Sequence, residues 1–135
     1  MDNNINCRLA HVGVTVSDLD RSIDWYETNF ASKLLRKFDK PGLKLKGATI
    51  KLKASIIELL QPYEPKQLKQ NTGDLSSFLK NPGANHLAFA TVDINALHEK
   101  LKQNNVTFIT DFNPGSGHFF CLDPDKTLIE VKEQK

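Results

Sequence analysis

Apolar and polar positions along this chain follow one order of periods, and the order is written twice. Residues 9 to 16, LAHVGVTV, are rich in β-branched and apolar types and read as a buried strand. A helical period follows, with Leu19, Ile23, Tyr26 and Phe30 on one stripe. Ser17 reads as its N-cap, with Asp20 three residues on in an acidic version of the capping box, and the helix is expected to end near Asn29. KLLRKFD is a second strand, and Pro41–Gly42 a turn. LKLKGATIKLK alternates lysine with apolar residues, as a half-exposed strand does, and SIIELLQ is a fourth strand.

The second half repeats the first. NHLAFATV reads as a strand, and Asp93 as the cap of a helix with Ile94, Leu97 and Leu101 on one face. VTFIT, GHFFCL and TLIEVK follow as strands, with a DPDK turn between the last two. At an offset of 75 positions His11 falls on His86, Asp18 on Asp93, Leu19 on Ile94 and Asn29 on Asn104. A repeat present in two copies points to a duplicated module rather than a solenoid. The expected fold class is α+β. Two βαβββ modules, 5–62 and 84–133, are joined by a Pro-, Gly- and Lys-containing connector over 63–83 in which DLSSFLK forms a short helix. Each module has a sheet with one face covered by its helix and the other bare. Two such sheets, curving together into a mixed sheet around a cleft, make one domain over 1–135.

The chemistry sits at matching points of that repeat. His11 and His86 each open a strand, and Glu58 and Glu130 each interrupt an apolar strand, 47 and 44 positions after their histidines. One histidine in a buried strand is more often a hydrogen-bonded core residue than a ligand. Two at equivalent positions, each matched by a carboxylate that would be costly to bury unpaired, point to metal ligation. Side chains alternate across a strand, so one ligand from each of four strands can converge without a short motif. Two imidazoles and two carboxylates suit a divalent first-row ion such as zinc, nickel, cobalt, manganese or iron. On an octahedral ion they leave two adjacent positions for a substrate with neighbouring oxygens, and a carboxylate is at hand to move a proton. His98 is expected at the solvated rim of its helix, Trp25 and Tyr26 in helix packing, and His118 either at a pocket or in the core. The lysines from Lys33 to Lys53 read as solvated strand faces and edge protection, with attraction of an anionic substrate as the sharper alternative.

Composition narrows the class without changing the picture. The 135 residues carry 18 basic and 16 acidic side chains, which gives no reason to expect nucleic acid. No apolar run reaches the length of a membrane span, and the opening MDNNINCRLA lacks the basic head and apolar stretch of a signal peptide. A cytoplasmic setting is expected. Cys7 and Cys121, the only cysteines, have no CxxC neighbour, so neither a disulfide framework nor a zinc finger is implied. No Gly-rich phosphate loop, GxSxG elbow or HExxH motif is present.

The run HVGVTVSDLDRSIDWYETNFASKLLR and the closing FFCLDPDKTLIEV resemble the vicinal oxygen chelate superfamily, over nearly the whole chain. That group includes glyoxalase I, methylmalonyl-CoA epimerase, extradiol dioxygenases and the fosfomycin and bleomycin resistance proteins. The resemblance implies paired βαβββ modules and places His11, Glu58, His86 and Glu130 at the family's four metal positions. Their order matches bacterial glyoxalase I, whereas epimerases usually carry Gln where Glu58 stands. It therefore implies a metal-dependent glyoxalase I-like lyase or isomerase, with Glu130 or Glu58 shuttling a proton, and a homodimer. The alternatives are an epimerase acting on an acyl-CoA thioester and a protein that sequesters a small molecule. Three positions depart from the pattern: Ala31 and Lys126 stand where the family commonly has glycine. Thr15 stands where bacterial glyoxalase I usually has an arginine that grips glutathione.

Overall fold

The computed structural model describes residues 5–66 and 73–134. The chain divides into two compact units, Met1–Lys66 and Gln67–Lys135. In the first, β1 (Val12–Thr15) leads to helix α1 (Leu19–Phe30) and the strands β2 (Lys33–Lys40), β3 (Leu45–Leu52) and β4 (Ser55–Pro62). In the second, a short helix α2 (Leu75–Phe78) precedes β5 (His86–Thr91), helix α3 (Ile94–Gln103) and the strands β6 (Thr107–Phe108), β7 (His118–Leu122) and β8 (Leu128–Glu133). The expected βαβββ order is therefore present twice. Each unit builds its own four-stranded sheet, ordered β1-β4-β3-β2 and β5-β8-β7-β6. In both, the first strand runs parallel to the last and the remaining pairs are antiparallel. Residues 67–72 of the expected connector lie outside the described residues.

Alternation along the strands separates two faces in each unit. Val14, Ala48, Ile50, Ile57 and Leu59 are buried on the side of α1, against Leu19, Ile23 and the fully buried Tyr26. Burying one such side chain contributes roughly 1.5–3 kcal/mol, so this layer holds the unit together. In the second unit Phe119, Cys121, Ile129 and Val131 do the same, with Ile94 and Leu101 of α3 also buried. Burial pushes the Cys121 thiol up to about 12, so it stays protonated and inert.

Helix α1 starts one residue later than its sequence suggests. Asp18, not Ser17, is the N-cap, its carboxylate accepting from the Arg21 N–H at 3.1 Å. Ser17 Oγ instead accepts from the Arg21 guanidinium, and Asp20 pairs with Lys37 at 2.7 Å rather than closing a capping box. The repeat holds the better clue, because Asp93 caps α3 in the same way through Ala96 N–H. At the other end Ala31 takes a left-handed conformation (φ 56°), and Lys126 in the DPDK turn does likewise (φ 63°). Both positions where the resembled family commonly has glycine thus keep a glycine-like backbone under an L side chain, at a cost of about 1 kcal/mol each. Ala31→Gly and Lys126→Gly are each expected to raise unfolding free energy by about that amount, less the added entropy of the unfolded chain. Urea unfolding checks this; a loss of stability in both variants would contradict the left-handed assignment.

His98 corrects a second expectation. It is not a solvated rim residue: its ring lies 4.5, 4.6 and 5.0 Å from those of Phe108, Phe112 and Phe119. The aromatic run after α3 folds back over the helix, a contact that no local period could reveal. Burial, with Lys102 adding to it, holds the imidazole below its ordinary 6.5. The unfolded chain then takes up this proton at a higher pH than the folded one, so stability falls as pH drops through and below 6.5. Thermal unfolding between pH 7 and 5 should show a smaller decline in His98→Phe than in the wild type. Parallel declines would rule out His98 as a source of acid sensitivity.

Candidate metal-ligand pairs

The faces turned away from the helices carry the predicted site residues. On β4, Ile57 and Leu59 point at the helix, so Glu58 points the other way. It lies between Gly13 on β1 and Thr49 on β3. Glu130 on β8 has the same relation to Ala88 on β5 and Phe120 on β7. His11 immediately precedes β1, and His86 begins β5. His11 Nε2 stands 4.0 Å from Glu58 Oε2, and His86 Nε2 stands 3.7 Å from Glu130 Oε1. The structure therefore brings the four predicted residues together as two like pairs, one in each unit. Within each unit, among the described residues, no third His, Cys, Asp or Glu joins the pair as a cluster.

Asn85 is the residue that the sequence reading missed. Its amide N–H2 donates to the Phe78 carbonyl, which turns Oδ1 towards His86 Nδ1 at 2.9 Å. This network assigns the imidazole proton to Nδ1 and leaves the Nε2 lone pair facing Glu130. A carbonyl or carboxylate behind a histidine is the usual arrangement for a metal ligand. The only sequence signal was adjacency: Asn85 precedes His86, while Ala10 precedes His11. His86 and His118 flank Phe120, with ring centroids 5.5 and 6.2 Å from it. His118 is thus exposed on the helix-free face rather than in the core.

The donor chemistry fits a divalent cation. An Nε2 lone pair and a carboxylate oxygen repel unless a proton or a cation lies between them. Separations of 3.7 and 4.0 Å exceed hydrogen-bond length. Two donors at about 2.1 Å from one ion would stand roughly 3–3.5 Å apart, so each pair needs to close by at most about 1 Å.

Comparison with known proteins shows the family. The Glyoxalase/Bleomycin resistance protein/Dioxygenase superfamily matches residues 8–131. A lactoylglutathione lyase of Arabidopsis thaliana is 32% identical over 134 residues, covering 93% of this chain and 44% of that protein. The chain thus spans less than half of that plant relative. A lactoylglutathione lyase of Escherichia coli is 28% identical over 136 residues and is covered to 93% of its length. Among solved structures, the trypanothione-dependent glyoxalase I of Leishmania major superposes with a TM-score of 0.76 at 26% identity, over 95% of this chain and 87% of that one. No helix among the described residues is long and apolar enough to cross a membrane. With its twofold βαβββ repeat and matched His–Glu pairs, the chain belongs to the Glyoxalase/Bleomycin resistance protein/Dioxygenase superfamily, as a glyoxalase I-like member.

Proposed function

We propose that this chain is a metal-dependent lyase or isomerase of the glyoxalase I type, acting on a small thiol adduct with adjacent oxygens. The observation that carries the reading is the duplicated His–Glu pair, with Asn85 holding the His86 Nε2 lone pair free. The lactoylglutathione lyases among its relatives support the reaction class. His11, Glu58, His86 and Glu130 would be the donors for zinc, nickel, cobalt, manganese or iron. When bound there, the ion supplies Lewis-acid polarisation of two neighbouring substrate oxygens. Glu130 or Glu58 takes the proton from the carbon that bears sulfur and hydroxyl and returns it to the adjacent carbonyl carbon, while the hydroxyl proton passes to the former carbonyl oxygen. The product is a thioester of a 2-hydroxy acid. The whole chain acts as one domain, in the cytoplasm, as a homodimer. Mixing a His11→Ala/Glu58→Ala chain with a His86→Ala/Glu130→Ala chain tests whether a centre draws on two copies. Recovery of activity requires that sharing, and its absence places each centre within one chain.

Thr15 shapes the expected substrate. It lies on the helix-free face, two residues beyond Gly13, which pairs with Glu58. A hydroxyl there cannot form the charge-assisted, bidentate contact that an arginine makes with a carboxylate. The methylglyoxal adduct of glutathione should therefore be turned over weakly, and an adduct of another thiol more efficiently. Steady-state kinetics with metal-loaded protein decides this, and Thr15→Arg should raise turnover of the glutathione adduct. The reading fails if no thiol adduct is turned over, or if the protein takes up none of the five metals.

A further inference from the structure

The helix-free face of the first sheet carries a second feature beside the His–Glu pair. Register places Gly13, Glu58, Thr49 and Arg36 in one row across β1, β4, β3 and β2. Neighbouring strands are about 4.8 Å apart, so Arg36 lies roughly 10 Å from Glu58, two strands over. Two residues on, Phe38 pairs with Gly47 and its ring edge reaches over it: a Cβ at Gly47 would run into the Phe38 ring and come within 2.8 Å of the Leu59 carbonyl oxygen. The Arg36 guanidinium sits 5.2 Å from the Phe38 ring centroid, and the Lys40 ammonium 5.1 Å from the same centroid. Two cations thus share one aromatic ring. Among the described residues neither has a carboxylate partner, whereas Lys37, on the opposite face of the same strand, is paired with Asp20 at 2.7 Å. Lys33 and Lys51 face each other across β2 and β3, beyond the register shift that separates Leu34 from Arg36.

Protection of an edge strand accounts for lysines on either face, but not for this arrangement. It does not require a phenyl ring seated on a glycine, nor two cations gathered on that ring. Gathering like charges costs energy that an anion would recover, and a ring beneath them fixes their positions. Among the described residues the second unit lacks the feature, although it shares the repeat. Phe120 stands at the position of Thr49, and β6 contributes only Thr107 and Phe108. The basic clamp is therefore not something the module needs in order to fold.

We propose that Arg36 and Lys40, set around Phe38, form the subsite that holds an anionic group, carboxylate or phosphate, on the non-reacting half of the substrate. This rests on the glyoxalase I-like reading above, because Glu58 marks where the reacting carbons lie. Thr15 and Arg36 lie on opposite sides of Glu58. The anchor for the thiol carrier has moved from β1 to β2, and the carrier's charge is gripped about 10 Å from the metal-ligand pair.

Calorimetric titration tests the subsite without requiring turnover. The probes are S-methylglutathione, its carboxylate-blocked diethyl ester, and coenzyme A, each added to the wild-type protein, Arg36→Ala, Lys40→Ala and the double variant. For at least one acidic probe, Kd is expected to rise about tenfold or more in the double variant, with a smaller effect at higher salt. The diethyl ester should bind all four proteins alike. The probe that loses affinity names the group: carboxylate for the glutathione derivative, phosphate for coenzyme A. Turnover of a metal-loaded enzyme should show a raised KM with kcat unchanged within about twofold, as expected when binding away from the reacting atoms is lost. Failure of every acidic probe to bind the wild type, or equal Kd values across the four proteins, overturns the subsite. Loss of affinity for an acidic probe in a protein that turns over no thiol adduct upholds the anion grip and overturns the catalytic reading instead. Arg36 and Lys40 are exposed strand residues; matching circular dichroism spectra would exclude unfolding as the cause of lost affinity.

Discussion

Replacing His86 or Glu130 with alanine is expected to remove most divalent-metal affinity. Even a residue that only orients a ligand is worth about 10–100-fold in affinity, so Asn85→Ala sets the lower bound and loss of a ligand itself exceeds it. Equilibrium dialysis against zinc, nickel, cobalt and manganese, with elemental analysis of the protein, reads this directly. The fold should survive, because both side chains lie on the helix-free face and Glu130 stands opposite a histidine lone pair that gives it no hydrogen bond. Metal-free variants should then melt at or above the wild-type temperature, while the rise on adding metal is lost. For the wild type that rise corresponds to about 2.7 kcal/mol at a metal concentration one hundred times Kd. Variants that keep the full metal-dependent rise would show that the ligands are misassigned.

The second large effect separates the two carboxylates. Glu58→Gln and Glu130→Gln keep shape and an oxygen donor but remove the base. Proton transfer by a positioned side chain contributes about 10²–10⁴-fold, so the variant that lacks the base should lose that much in kcat. The other variant should lose chiefly metal affinity. The two sites are not equivalent: Glu58 has Thr49 on one side and the Arg36 row beyond it, whereas Glu130 has Phe120, with His86 and His118 against that ring. The variant that loses kcat identifies the base. Single-turnover kinetics on metal-saturated variants distinguishes loss of chemistry from loss of metal. Equal kcat in both variants and the wild type would rule out either carboxylate as the proton carrier.

Much of this was legible from residue order, because the signals were local and repeated. Apolar and β-branched runs, with alternation in LKLKGATIKLK, marked the strands, although VTFIT shrinks to Thr107–Phe108; period-three-to-four runs marked α1 and α3, and the offset of 75 linked His11 to His86 and Asp18 to Asp93. The direction of Glu58 follows from alternation alone: with Ile57 and Leu59 on one face, Glu58 has to take the other. Features that depend on which strand lies beside which were not legible. Strand order β1-β4-β3-β2 puts Arg36 in line with Glu58, although the two are far apart in the chain and in different periods. Asn85 became a partner of His86 only once α2 supplied the Phe78 carbonyl that turns its amide. His98 acquired its aromatic neighbours from strands and loops downstream of its own helix. Sequence determined which side chains share a face of an element, since backbone geometry alone sets that. The tertiary structure decided which faces adjoin, through the packing of α1 and α3 on their sheets and the register of non-adjacent strands.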